Sequence, residues 1–447
     1  MHGKTEQRPQ ASGEMSKTPA YAWYALAVML VLYVFAFIDR QMLNLLVEPI
    51  KHDLLLSDFE ISLLQGFAFA VFLSLSGLPL GRLIDTGRRT AILAAGGIIW
   101  SLATAACGLS GSFGQLLMAR IGVSLGESAM TPSALSLIGD YFPPRRMGLA
   151  TSLYALGVHV GSGLALILGA LVVAHLAQAT ISLPVIGAAR AWQIVFIAVG
   201  LSGIVAALWV ASLKEPLRGC FRQHPMGRLS LGEVFALLRA NGAALHCANL
   251  GVAFAAMATY AISAWLPSFF VRHFHWTPAH IGSLYGPVII VSGIAGVMSA
   301  GLGGDWLHTR GAIDGRFRIM SGAALAALPF VALAPNMEDP LLALALFGVA
   351  NYFLAAAIGS GPALLQDMTP AHMRGVTHAL AVLTVNLIAI GLGPSSIAIF
   401  TDFVLHDERK VGLSLSIVTP MLLLLSSGIA FAGRKPFLKA MDRFKKL

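Results

Sequence analysis

Apolar stretches long enough to cross a bilayer recur from one end of this chain to the other. One helical crossing takes about 20 predominantly apolar residues. Twelve such runs are readable, near residues 21–49, 59–84, 89–110, 114–141, 146–176, 191–213, 242–271, 280–304, 318–335, 341–367, 373–402 and 412–433. A water-soluble surface carries about 25% charged residues. This chain has 11% charged and 57% hydrophobic residues, too few charges to cover a soluble core of its length. The sequence therefore predicts an all-α polytopic membrane protein with twelve transmembrane helices.

The charges follow the membrane. With the N-terminus inside, 23 of the 30 Lys and Arg residues fall in cytoplasmic segments and five in outer ones, with Arg40 and Arg120 left within spans. Positive residues favour the cytoplasmic side, so a multi-pass protein of the inner membrane with both termini cytoplasmic is expected. The net charge of +9 is spread along these loops and makes no basic surface for nucleic acid. Residues 1–19 are polar, contain Pro9 and Pro19, and do not read as a cleavable signal. Cys107, Cys220 and Cys247 are too scattered for a disulfide framework or a metal site.

The longest polar interval, Lys214 to Arg239, divides six spans from six. The expected organisation is a tail (1–19), a six-helix unit (20–213), a linker with a short amphipathic helix over 229–240 (214–240), a second six-helix unit (241–433) and a basic tail (434–447). The halves echo each other. "DYFPPRRMG" from Asp140 matches "DMTPAHMRG" from Asp367 at an offset of 227, and "GRLIDTGRR" from Gly81 weakly matches "GLGGDWLHTR" from Gly301 at 220. Internal repeats with a substrate site near the midplane mark secondary transporters.

"FAFIDRQML" places Asp39 and Arg40 inside the first run, and the fourth run holds Arg120 and Glu127. Charges at membrane depth are costly and mark ion pathways or proton relays. Arg120 and Glu127 are seven residues apart, two turns on one helix face. At 1.5 Å per residue, Arg120 lies about 9 Å and Glu127 about 20 Å from the outer end, with Asp39 about 15 Å below it. Four charges that sum to zero form a proton-coupling device, because protonating one acid frees an arginine. The alternative is a static cluster that fixes helix register.

"GRLIDTGRR", with Gly81, Asp85, Gly87, Arg88 and Arg89, resembles the loop signature of the major facilitator superfamily between spans two and three. Residues 120–148 and the Asp-Arg pair of span one narrow the resemblance to the Spinster-like branch, whose animal members move lysolipids and sphingoid lipids. The resemblance implies two six-helix bundles rocking about a central cavity lined by spans one, four, seven and ten. It also implies that the four charges meet, and it sets a cytoplasmic gate. Asp85 would bond at the start of span eleven, where Thr369 reads as an N-cap and Pro370 as the first helical residue. Asp140 is the expected partner of Arg88, and Asp305 is the second-half counterpart of Asp85.

Spans seven, eight, ten and eleven hold no charged residue in their interiors, only His246, Asn249, Tyr260, Asn351, Tyr352, His378 and Asn386. One charged wall and one neutral wall suit an amphipathic substrate, with His159, Asn249, Tyr260 and Asn351 as candidate cavity residues. A carrier of small organic anions or drugs, and a uniporter or lipid scramblase with structural charges, are the alternatives. "GVSLG" (122–126) has the spacing of a hydrolase elbow but lies in a transmembrane run without a strand. No Walker A pattern is present. The expectation is therefore a monomeric non-enzyme that needs no cofactor and takes its energy from a proton gradient. Its partners would be protons, the bilayer and a small molecule.

Overall fold

The computed structural model describes residues 20–176, 181–183, 187–218, 231–369 and 373–444. The expected tail 1–19, residues 219–230 of the linker and Pro370 lie outside these.

A chain without water around it must satisfy its backbone internally, so every crossing is helical. Among the described residues, eleven helices are long and apolar enough to cross a membrane. Span four supplies the twelfth crossing in two pieces, Phe113–Glu127 and Met130–Tyr141. Its break falls directly after Glu127. The Ser124 and Ser128 hydroxyls donate back to the carbonyls of Ile121 and Leu125 at 2.8 and 2.7 Å, a pattern that bends helices. Gly126 sets the piece against span three (Arg89–Cys107), where a Cβ would lie 2.5 Å from the Trp100 nitrogen. The only strands among the described residues form a short hairpin, Ile181–Leu183 with Gly187–Ala189, between spans five and six.

Two other crossings depart from a plain α-helix. Span two opens on a capping box, with Ser57 accepting from the Glu60 N–H and Glu60 accepting from the Ser57 N–H. It then passes through a π-helical turn, Leu63–Phe67, before running on as Ala68–Thr86. Span eleven, whose α-helix begins at Arg374, contains two more π-helical turns, at Asn386–Gly391 and Phe400–Leu405. Such turns concentrate at functional sites. Span seven is one continuous helix, Leu231–Phe274, so the described part of the expected 229–240 segment is its first turns rather than a separate element.

Spans one to six pack as one group and seven to twelve as another, with span seven lying along span twelve and span three against spans four and six. The groups pack most extensively at two places. Span five (Pro144–Leu176) touches span eight (Pro278–Thr309), and a Cβ on Gly286 would lie 2.6 Å from the Gly163 carbonyl oxygen. Span two touches span eleven, and a Cβ on Gly66 would lie 2.3 Å from the Ile390 carbonyl oxygen. Both contacts lie toward the face opposite the described ends of the chain, the outer face by the charge bias. Toward the inner face the groups part. A Cβ on Gly77, Gly81 or Gly301 would meet nothing within 4 Å, and Leu149, on the seam side of span five, is exposed.

Candidate functional site

The four charges of spans one and four do meet, as two ion pairs. Arg120 donates to Asp39 Oδ2 at 2.6 Å, with both side chains 1% exposed. Arg40 donates to Glu127 Oε2 through Nε at 3.0 Å and also through its terminal nitrogen. In this second pair Glu127 is 1% exposed while Arg40 is 19% exposed, so Arg40 alone of the four reaches the opening. Asp39 Oδ1, Arg120 Nε and Glu127 Oε1 are buried without a hydrogen-bond partner. Breaking a buried pair costs about 3–5 kcal/mol. Spans one and four are thus held by a sealed pair and by a pair that can be reached.

Phe69 of span two joins the pairs. Its ring centroid lies 4.5 Å from the Arg40 guanidinium carbon and 5.4 Å from that of Arg120. Phe37 is a second aromatic neighbour of Arg40, at 5.1 Å.

Above the charges lies a neutral layer between the two groups of helices. Gln41 and Ser263 bond to each other at 3.0 Å, Asn44 donates to Gln41 at 2.9 Å, and Gln65 donates to Asn44 and to the Ala264 carbonyl. At the outer face a charged clamp closes over it. Arg272 of span seven grips Asp58 with two bonds of 2.7 Å and Glu48 with one of 2.8 Å, all across the two groups. Lys51 bonds Asp58 at 2.7 Å and also pairs with Glu408. Asp402 of span eleven accepts from the Phe59 N–H at 2.8 Å, where the positive end of the span-two helix favours an anion. Asp58 is fully buried in this clamp.

The inner face differs from expectation in its pairing. Arg89, not Arg88, is the partner of Asp140. Arg88 precedes the span-three helix and is exposed, while Arg89 is 1% exposed. Arg89 also donates to Glu215 at 2.7 Å, and Glu215 accepts from the Thr90 N–H and hydroxyl, both at 2.9 Å. Burial pushes the Glu215 carboxyl up, but these bonds outweigh it and hold the group below its usual value. Arg218 donates to the Ile84, Asp85 and Gly87 carbonyls at the end of span two. The first residues after span six thus fasten both ends of the 81–89 loop, in which Gly81 and Gly87 are half-buried. The Asp85 carboxylate is exposed, as the parted inner face requires. Thr369 precedes the span-eleven helix and is buried.

The second half repeats this pairing. Arg316 pairs with Asp367 and, at 3.3 Å, with Asp305. Arg89 and Asp140 are separated by 51 residues, as are Arg316 and Asp367. The candidate cavity residues are spread out. The His159 ring faces Gly293 of span eight, and Asn351 donates to Ser292 Oγ at 2.7 Å. Tyr260 is half-buried and within electrostatic reach of Arg40, and Asn249 is half-buried. An apolar cleft of about 720 Å³ lies between spans eight and ten, lined by Val288, Val291, Ser292, Tyr352 and Phe353 among others. Val291 lies opposite the glycine row that packs on span five, so the cleft opens away from the junction of the halves.

Residues 29–394 match the Major Facilitator Superfamily. The chain is a major facilitator. It is 25% identical to an MFS-type efflux pump of Mycolicibacterium smegmatis, over 96% of this chain and 94% of that protein. It is 23% identical to a probable L-galactonate transporter of Escherichia coli K12, over 88% and 85%. Among solved structures it resembles a bacterial homologue of the human lysosomal transporter Spinster in an inward-facing, unoccupied conformation. That likeness has a TM-score of 0.78 and 25% identity, over 95% of this chain and 99% of that one. This facilitator is accordingly Spinster-like, a multi-pass membrane transporter and not an enzyme.

Four features of the facilitator were missed in the sequence. Arg316 was within reach, because it lies 227 residues after Arg89, the offset that relates Asp367 to Asp140. The clamp residues Glu48, Asp58, Arg272 and Glu408 sit at outer span ends, where Lys51 and Arg272 were counted only for topology. Glu215 and Arg218 looked like linker charges. Phe69 is one of 24 phenylalanines and carries no local signal.

Proposed function

We propose that this facilitator is a proton-coupled secondary transporter of an amphipathic anion, working by alternating access across the inner membrane. The observation that carries this reading is the asymmetry of the Arg40–Glu127 pair, in which the acid is buried and the arginine reaches the opening. A proton on Glu127 releases Arg40, and an anionic head group on Arg40 releases Glu127. Both events break the same ion pair, so each favours the other, which is how a proton and a substrate become linked. Asp39 holds Arg120 in place beside them and is the second acid that can take a proton. The clamp and the neutral layer close the outer side in this state, and the parted inner face gives access from the inside. The uncharged spans of the second half suit the apolar part of the substrate.

Transport into proteoliposomes under a pH gradient tests the reading. Glu127→Gln is expected to abolish gradient-driven uptake while leaving exchange of bound substrate. Full gradient-driven accumulation by Glu127→Gln would refute its role and leave Asp39 as the coupling acid. A lysolipid panel set against hexuronates tests the substrate class. The relation to an L-galactonate transporter favours a second reading, in which Arg40 holds the carboxylate of a small sugar acid. Displacement of a fluorescent lysolipid by hexuronates but not by other lipids would select it.

A further inference from the structure

One turn of span two touches both the outer gate and the charge pairs, with a different face to each. Gly66 packs on span eleven so closely that a Cβ would lie 2.3 Å from the Ile390 carbonyl oxygen. Ala70, four residues on and fully buried, meets Gly391 of the same span. On the other side Gln65 bonds Asn44 of span one and the Ala264 carbonyl of span seven, at 3.2 and 3.3 Å. Phe69, four residues after Gln65 and 1% exposed, lies against both guanidiniums. The turn Leu63–Phe67 is π-helical, and the turn it meets in span eleven, Asn386–Gly391, is π-helical too. These four residues sit within six positions of one rigid element.

We infer that Phe69 is a positioning residue that ties the charge state of the Asp39–Arg120 and Arg40–Glu127 pairs to the outer gate. This rests on the proton-coupled reading above. A guanidinium is attracted to an aromatic face most strongly where water is excluded. The Phe69 ring therefore holds the faces of both guanidiniums while their edges bond Asp39 and Glu127. While the outer side is closed, Gly66 is seated on Ile390 and Phe69 is held between the pairs. When spans two and eleven part, the π-helical turn loses the carbonyl it is seated on and relaxes, and the ring at its end shifts against the two arginines of its own half. Both arginines then meet the ring differently and bind their acids on different terms. Coupling of this kind is reciprocal, so the protonation state biases the gate as strongly as the gate biases protonation. The titratable and charged groups facing this region are Tyr33, Asp39 and Arg40 from span one, Cys107 from span three, Arg120 and Glu127 from span four, Tyr154 from span five and Tyr260 from span seven.

The test uses the full chain in lipid nanodiscs, with native cysteines replaced and spin labels at Leu55 and His275, which are exposed at the outer ends of the two halves. Distances are measured from pH 5 to pH 9. In the parent protein the outer-closed fraction is expected to change with pH about a definite midpoint. Phe69→Leu removes the aromatic face and keeps an apolar side chain. It is expected to move that midpoint by a pH unit or more, or to halve the pH-dependent change. Phe69→Tyr keeps the ring and is expected to restore the parent profile. Gly66→Ala is expected to lower the outer-closed fraction at least tenfold at every pH and to move the midpoint as well. A Phe69→Leu profile that overlays the parent overturns the inference alone. If Phe69→Leu does not fold, an unmoved midpoint in Gly66→Ala overturns it instead. A parent protein whose distances ignore pH overturns the proton-coupled reading, and the inference with it.

Discussion

Replacing Arg272 by Gln should push this transporter out of the state described. Arg272 joins the two halves through three bonds to Asp58 and Glu48, and within its own half it also bonds the Glu408 carbonyl at 3.0 Å. Removing one partner of a buried pair costs about 3–5 kcal/mol. Asp58 keeps Lys51 at 2.7 Å, which offsets part of that loss. About 2–3 kcal/mol then remains. The penalty falls on the outer-closed state alone, since separation of the halves breaks these bonds in any case. Each 1.4 kcal/mol is a factor of ten, so the ratio of outer-closed to outer-open molecules should fall about 30- to 140-fold. Pulsed electron resonance between labels at Leu55 and His275 reads this directly as a gain in the long-distance population. Asp58→Asn added to Arg272→Gln should recover part of the loss, because the buried acid no longer lacks its main partner. An unchanged distance distribution in Arg272→Gln would refute the reasoning and leave the clamp as surface decoration.

The inner face makes a paired prediction. Arg89→Ala, which takes the cation from the buried Asp140 and the half-buried Glu215, should destabilise the protein by about 3–5 kcal/mol, whereas Arg316→Ala, at a site 28% exposed, should cost about 1 kcal/mol or less; equal shifts in thermal unfolding would contradict this. Glu215→Gln should lower stability at pH 7 by about 1–2 kcal/mol. The Glu215 carboxyl sits below its usual 4.5, so its stabilisation is full above that value and fades as pH falls through the lowered one. Melting curves of the two proteins should therefore converge in acid, and a gap that persists at pH 3 would show that the carboxylate charge is not the cause. Double-mutant cycles should give coupling of about 0.5–3 kcal/mol within Asp39–Arg120 and within Arg40–Glu127. Coupling between Arg120 and Glu127 should be smaller and should vanish in a Phe69→Leu background, and strictly additive effects within either pair would refute the paired arrangement.

Most of the fold was legible because a bilayer leaves few options. Length, apolarity and the positions of Lys and Arg define the crossings, and the offset of 227 reveals the repeat. The buried charges were legible for the same reason, since Asp39 and Arg40 stand out in an apolar run. What stayed hidden depends on which helices meet. Adjacent arginines 88 and 89 differ only in the direction each points, and the start of the span-three helix at Arg89 turns that residue inward. The break in span four was foreshadowed by Ser124, Gly126 and Ser128, but hydroxyls and glycines recur throughout the chain. The outer clamp joins residues 214 and 224 positions apart, a distance over which no local pattern can speak.

Span seven carries a mechanical consequence of its length. At 1.5 Å per residue its 44 residues make a rod of about 66 Å, roughly twice the hydrocarbon thickness of a bilayer. Such a rod is a lever arm. A tilt of about 10° around its middle sweeps the Leu231 end through about 6 Å, so rocking within the membrane is magnified at the inner surface. The other end of the tether is pinned, because Arg218 is fastened to the end of span two. Twelve residues, 219–230, lie between the pin and the moving tip, and a chain of that length reaches up to about 40 Å. Fully extended, the covalent link from Arg218 to Leu231 is several times longer than the sweep of the helix tip.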